Sequence, residues 1–154
     1  YRPVAVYASD VNGDGITELP RAVLMAGYKD TSSSDAVYML DWYAYGIGKV
    51  PAKVATTYQN ISDAWSLLID QKWHDRITAI KANDGGLSYV EFFEYRKNKM
   101  SIPLFNIYCA TGSNREYYAE RTDLIQLGQT TQAIYFAKLT NEGEQSELAL
   151  GFWN

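Results

Sequence analysis

The chain has 154 residues, the usual size of one domain, and its 47% hydrophobic and 21% charged residues exclude a disordered or fibrous protein. A net charge of −4, with no long run of Lys or Arg, argues against nucleic acid as a partner. The longest apolar runs are too short to cross a bilayer, so we expect no membrane span in this chain. The start at Tyr1, without Met or an apolar leader, indicates a mature product or an excised domain.

Aromatic residues make up 14% of the chain, with 13 Tyr, 4 Trp and 5 Phe. Such side chains bury large areas and often keep a polar edge, which favours a β-rich sandwich or an exposed binding face. The single cysteine, Cys109, cannot form an intrachain disulfide. It alternates with Phe105 and Ile107 along a predicted strand, so we expect it to be a small buried core residue.

The predicted elements follow one another mostly as short strands. Residues 1–8 alternate and run into an Asp/Asn/Gly-rich loop. Further strand-like segments are at 19–28, 35–46, 53–59, 64–70, 77–84, 87–96, 98–111, 123–128 and 132–139. Ser113 with Glu116 forms a capping box that opens a short helix. The segment 141–153, with Leu148, Leu150 and Phe152 as its apolar residues, is interpreted as a terminal helix.

These elements sum to about eight strands and one or two helices, without the alternation of a βαβ fold. The sequence therefore predicts a single α+β domain over 1–154, built on mostly antiparallel sheet. Within it, 1–60 would hold the N-terminal strands with the loop, and 61–154 the α/β sandwich part. In the segment 35–46 period-two alternation predicts a half-buried strand, with Tyr38, Leu40 and Trp42 on one side.

The first loop has the pattern of a site for a hard cation. Such ions take oxygen ligands at alternate positions around a tight turn, and glycine supplies the backbone angles that the turn needs. Position twelve of an EF-hand loop would be a bidentate acid, but here it is Arg21, so that interpretation fails. A more compact site closed by position nine remains. Its expected calcium ligands are Asp10, Asn12, Asp14, the backbone carbonyl of Ile16, and Glu18.

The same loop has a simpler interpretation. Asn12-Gly13 and Asp14-Gly15 are turn dipeptides that can join two strands and bind nothing. Three acids within nine residues would repel one another without a cation, and this favours the metal site.

The loop D-x-N-x-D-G-x-x-E-x-P resembles those of secreted lipoproteins of Firmicutes that contain VCBS/FG-GAP repeats, whose C-terminal region the aromatic-rich segments also resemble. The matched positions are Asp10, Asn12, Asp14, Gly15, Glu18 and Pro20. The part from Ser62 to Leu139 resembles a Mog1/PsbP-like sandwich in its order of elements. The resemblance implies an extracellular or cell-surface module of a Gram-positive bacterium, with no catalytic residues to carry over. The chain has one such loop where a propeller would have several.

Enzymatic motifs are weak in this sequence. His74 is the only histidine, no nucleophile motif accompanies it, and we expect it in a partly exposed turn. Glu91 and Glu94 fall on opposite faces of one strand, so they cannot act as a facing pair of acids. Asp41 lies among aromatic residues, as acids of sugar sites often do, but can equally be an exposed strand acid or a partner for Lys or Arg.

We therefore expect no enzyme but a non-catalytic extracellular module that binds protein or cell-wall glycan. The aromatic residues that could form a stacking surface are Tyr38, Trp42, Tyr43 and Tyr45, together with Tyr117 and Tyr118. The same residues can instead fill a core. Two further hypotheses are a glycan-acting hydrolase with unrecognised carboxylates, and a structural domain that packs on a neighbouring propeller.

Overall fold

The computed structural model describes residues 3–32 and 34–146. They fall into two compact units, Tyr1–Asp75 and Arg76–Asn154. Each unit is built on one antiparallel sheet. None of the helices in the described residues is long and apolar enough to cross a membrane.

The first unit is a four-stranded meander. Its strands are β1 (Leu19–Leu24), β2 (Tyr38–Ala44), β3 (Ala52–Asn60) and β4 (Trp65–Leu68), in the order β1-β2-β3-β4. A 3₁₀ turn at Gln71–Trp73 follows, and Asp70 caps it by accepting from the backbone N–H of Lys72 at 2.9 Å. Trp73, the last residue of this turn, is fully buried.

The second unit is a five-stranded sheet. Its elements are β5 (Ile77–Asp84), β6 (Leu87–Arg96), β7 (Lys99–Thr111), α1 (Arg115–Ala119), β8 (Ile125–Gln129), β9 (Ala133–Leu139) and α2 (Asn141–Gln145), with strand order β5-β6-β7-β9-β8. Phe92 and Phe105 stack across β6 and β7 with ring centroids 4.7 Å apart. Cys109 is buried on β7, as predicted.

The predicted fold class is wrong. With 49% strand and 9% helix, the part of the chain that the structure describes is mainly β and not α+β. The two helices have only five residues each, which is too short to build a helical layer against a sheet. The expected capping box does not form, since Asn114 occupies the N-cap of α1 without a side-chain hydrogen bond.

Most predicted strands are confirmed, and the strand expected at the start of the chain needs correction. Residues 3–8 form no strand, and one isolated bridge joins Ser9 to Glu18 instead. The first part of the predicted terminal helix is confirmed as α2, and Leu148, Leu150 and Phe152 lie outside the described residues. The strand β2 is not half-buried, since both of its faces are covered in the middle at Met39 through Trp42. It is an interior strand between β1 and β3, so neither of its edges is free.

Candidate metal centre

The loop of residues 10–17 is closed at its base by a pair of backbone hydrogen bonds. Ser9 donates to the carbonyl of Glu18 at 3.1 Å, and Glu18 donates back to the carbonyl of Ser9 at 3.0 Å. This bridge fixes the two ends of the loop side by side, directly before β1 begins at Leu19. Glu18 therefore lies at the base of the loop, opposite Asp10.

Three carboxylates converge there. Oxygen atoms of Asp10, Asp14 and Glu18 all lie within 4.8 Å of one another, and Glu18 is buried while Asp10 and Asp14 are exposed. Three negative charges at this separation repel one another strongly, and a divalent cation among them reverses the sign of the interaction. Within the described residues, this group can hold a metal ion.

The backbone of the loop is already folded around Asp10. Its Oδ1 accepts from the N–H of Gly13 at 2.7 Å and of Asp14 at 3.2 Å, and its Oδ2 accepts from the N–H of Gly15 at 2.9 Å. Gly13 and Gly15 have φ of +77° and +83°, the left-handed region in which glycine is not strained. Because these hydrogen bonds order the turn, little further ordering is needed when an ion binds.

Glu18 carries the observation that points to a ligand. Its side chain is 0% exposed, and its Oε2 accepts from the backbone N–H of Val11 at 2.9 Å. The other oxygen, Oε1, is buried without any hydrogen-bond partner. Burying a carboxylate oxygen without a hydrogen-bond partner costs folding free energy, and a cation beside this oxygen would remove that cost.

The remaining two predicted ligands are placed differently. Asn12 bonds to its neighbour twice, because its Nδ2 donates to Asp14 Oδ2 at 3.0 Å and its Oδ1 accepts from the N–H of Asp14 at 3.1 Å. Ile16 donates its N–H to Asp14 Oδ1 at 2.8 Å and its side chain is exposed. Asn12 is thus next to the carboxylates, and the roles of both residues as ligands stay predictions.

The hydrogen bonds to Asp10 give a testable pH dependence. The N–H of Gly15, followed by those of Gly13 and Asp14, holds the pKa of Asp10 below its usual 3.8. A carboxyl group whose pKa is lowered by folding stabilises the folded protein at pH values above its pKa in the unfolded state. This contribution is lost as the pH falls through its pKa in the folded state. In metal-free protein, the difference in melting temperature between wild type and Asp10→Asn should be constant above about pH 5 and shrink below about pH 4. A difference that grows on acidification would contradict this.

The predicted aromatic surface is not assembled as one face. Trp42 is 2% exposed and its Nε1 donates to Thr57 Oγ1 at 2.9 Å, so its ring cannot stack on an external ligand. Tyr38 and Tyr43 are half-buried and, five residues apart in one strand, point to opposite sides. Tyr45 is exposed beyond the end of β2. In the second unit, Tyr117 and Tyr118 form an edge-to-face pair in α1 with centroids 5.6 Å apart.

A buried polar centre around Asp41 was not predicted. The carboxylate of Asp41 accepts from Thr56 Oγ1 at 2.6 Å and lies 3.0 Å from His74 Nε2 and 3.8 Å from Lys53 Nζ. The other ring nitrogen of His74 lies 3.1 Å from Asp75 Oδ1. Asp41 is therefore not an exposed strand acid. No spacing in the sequence relates positions 41, 56 and 74, and only the pairing of β2 with β3 and the 3₁₀ turn bring them together.

The two acids considered for hydrolysis, Glu91 and Glu94, lie on opposite faces of β6. Glu94 is 0% exposed, and its Oε1 accepts from Arg76 Nη2 and Arg96 Nε, each at 2.6 Å, so it is engaged in an ion triad on the opposite side from Glu91. A cavity of about 280 Å³ in the first unit is lined by Lys53, Val54, Ala55, Thr56, Leu68, Ile69, Asp70 and Gln71. Its lining includes one carboxylate, that of Asp70.

Comparison with protein-family models, with curated proteins and with solved structures finds no match to this chain. In the described residues, fold and site define a mainly β protein with two antiparallel sheets and a three-carboxylate group in the loop before the first of them.

Proposed function

We propose that the loop of residues 10–18 binds calcium and that the ion braces the start of the first sheet of a non-catalytic binding module. The observation that carries the proposal is the buried Oε1 of Glu18, which has no hydrogen-bond partner. Glu18 belongs to the same carboxylate group as Asp10 and Asp14. A cation beside this oxygen would satisfy it, whereas every other charged group of the cluster is negative and would repel it.

The donor set favours calcium over other ions. All three donors are carboxylate oxygens, which suit hard cations, whereas zinc and copper prefer imidazole and thiolate ligands. Magnesium demands near-ideal octahedral geometry and keeps several waters, while calcium accepts irregular shells of six to eight oxygens. Two of the carboxylates are exposed, so water can complete the shell.

The ion would act as a brace. Glu18 immediately precedes β1 and forms a β-bridge with Ser9, and Asp10 is the residue after Ser9. An ion held by both acids therefore ties the loop to the edge strand of the first sheet. A binding role for this module, with protein or cell-wall glycan as the partner, and its location outside a Gram-positive cell rest on the resemblance of the loop and of the aromatic segments.

The test is thermal unfolding with Ca²⁺, Mg²⁺ or EDTA. Ca²⁺ at about ten times its Kd should stabilise the wild-type protein by about 1.4 kcal/mol. Glu18→Gln should abolish the shift, because it removes the buried charge while keeping the shape. Asp30→Asn changes an exposed acid of the same unit outside the cluster and should keep the shift in full. A wild-type melting temperature that millimolar Ca²⁺ leaves unchanged would refute the calcium site.

A further inference from the structure

The loop contains the single Asn-Gly pair of the sequence, Asn12-Gly13. Glycine has no side chain to hinder its own backbone nitrogen, so this pair is the dipeptide at which asparagine most readily loses its amide. Both residues are exposed, and a side chain added at Gly13 would meet nothing within 4 Å. Water and the reacting groups are therefore not kept apart by packing.

The contacts of Asn12 and Gly13 hold both reacting groups in the turn. The Oδ1 of Asn12 accepts from the N–H of Asp14 at 3.1 Å. The N–H of Gly13 donates to the carboxylate of Asp10 at 2.7 Å. Ring closure therefore needs a local opening of the loop, in which these hydrogen bonds break.

We propose that Asn12 is a deamidation site that the bound ion controls, an inference that rests on the proposed function of the loop. The backbone nitrogen of Gly13 attacks Cγ of Asn12 and loses its proton, and the bond from Cγ to Nδ2 breaks. Ammonia leaves, and a five-membered succinimide remains. Water then opens the ring at one of its two carbonyl carbons to give aspartate or isoaspartate, so the net change is gain of water and loss of ammonia.

The ion controls the reaction because it holds the two acids that flank Asn12. Ring closure requires the N–H of Gly13 to leave Asp10 and the side chain of Asn12 to leave Asp14. An ion bound to Asp10 and Asp14 makes that opening rarer, in proportion to the share of molecules that carry it. Loss of the ion starts an irreversible change. The aspartate product adds a fourth carboxylate, and the isoaspartate product adds a backbone carbon between Asp10 and Asp14.

The experiment follows amide loss residue by residue. The full chain is incubated at mildly alkaline pH with EDTA or with Ca²⁺, and peptide mass mapping measures conversion of Asn12 over time. Asn98, an exposed asparagine in the β6–β7 turn that precedes Lys99, is the internal control. In EDTA Asn12 should convert at least about tenfold faster than Asn98. Ca²⁺ at about 100 times its Kd should slow Asn12 at least about tenfold and leave Asn98 unchanged.

Melting temperatures of the same samples separate the two proposals. If Ca²⁺ raises the melting temperature but does not change the rate at Asn12, the control by the ion is refuted while the calcium site stands. If Ca²⁺ changes neither, the calcium site itself fails. Conversion of Asn12 no faster than that of Asn98 in EDTA would refute the modification site. Asn12→Gln should show no mass gain in this peptide, because the longer side chain closes its ring far more slowly.

Discussion

Asp41→Ala is expected to lower the free energy of unfolding of the first unit by about 3 kcal/mol. Asp41 is 5% exposed and is the shared acceptor of the polar centre on β2 and β3. Its removal leaves the hydroxyl of Thr56 without its 2.6 Å partner and leaves His74 and Lys53 next to a cavity in place of a carboxylate. The cost comes from these polar groups that lose their partner, and only in part from the lost attraction.

The matched control is Asp75→Ala, which removes the other carboxylate that contacts His74. The side chain of Asp75 is 95% exposed, and its pair with His74 is open to water, so the expected change is at most about 0.5 kcal/mol. Asp41→Asn keeps an oxygen for Thr56 and should fall between the two. Chemical denaturation, with hydrogen exchange of β2 and β3 as a local readout, measures all three. Equal effects of Asp41→Ala and Asp75→Ala would contradict the central role of Asp41.

Gly143→Ala is expected to destabilise the second unit by about 3 kcal/mol through overpacking. Gly143 is the buried residue of α2, and a methyl group there would overlap the carbonyl oxygen of Leu104 on β7. The obstacle is a backbone atom of a central strand, which cannot move aside as a flexible side chain can. The hydrogen bonds that dock α2 depend on this approach, since Thr140 donates to the carbonyl of Leu104 and caps α2 at Gly143.

Gly128→Ala in β8 is the matched control for this substitution. A Cβ at Gly128 meets nothing within 4 Å and its backbone is not in the left-handed region, so alanine should be neutral or slightly stabilising. Hydrogen exchange of residues 99–111 and 141–145 would show whether α2 has left β7. Similar melting temperatures for the two variants would rule out tight packing at Gly143.

The local elements of this protein were largely readable from its sequence. Period-two alternation and the Gly85-Gly86 turn gave the β5–β6 hairpin with its ends as observed. The spacing of Asp10, Asp14 and Glu18 identified the carboxylate cluster, since all of its members lie within nine residues and one turn brings them together. Such features depend on neighbouring residues, whose relative positions the backbone geometry of a strand or turn fixes by itself.

Burial and long-range pairing were decided only by the tertiary structure. The alternation that predicts β2 does not show that it is an interior strand, so the sequence left open whether Trp42 is a surface ring or a core ring. In the structure it is buried. The centre of Asp41, Thr56 and His74 joins positions 15 and 33 residues apart. The fold class depended on the length of the helices, and α1 and α2 have only five residues each. Each of these outcomes depends on which surfaces pack together, and this is settled by strand pairing and not by the pattern of a single segment.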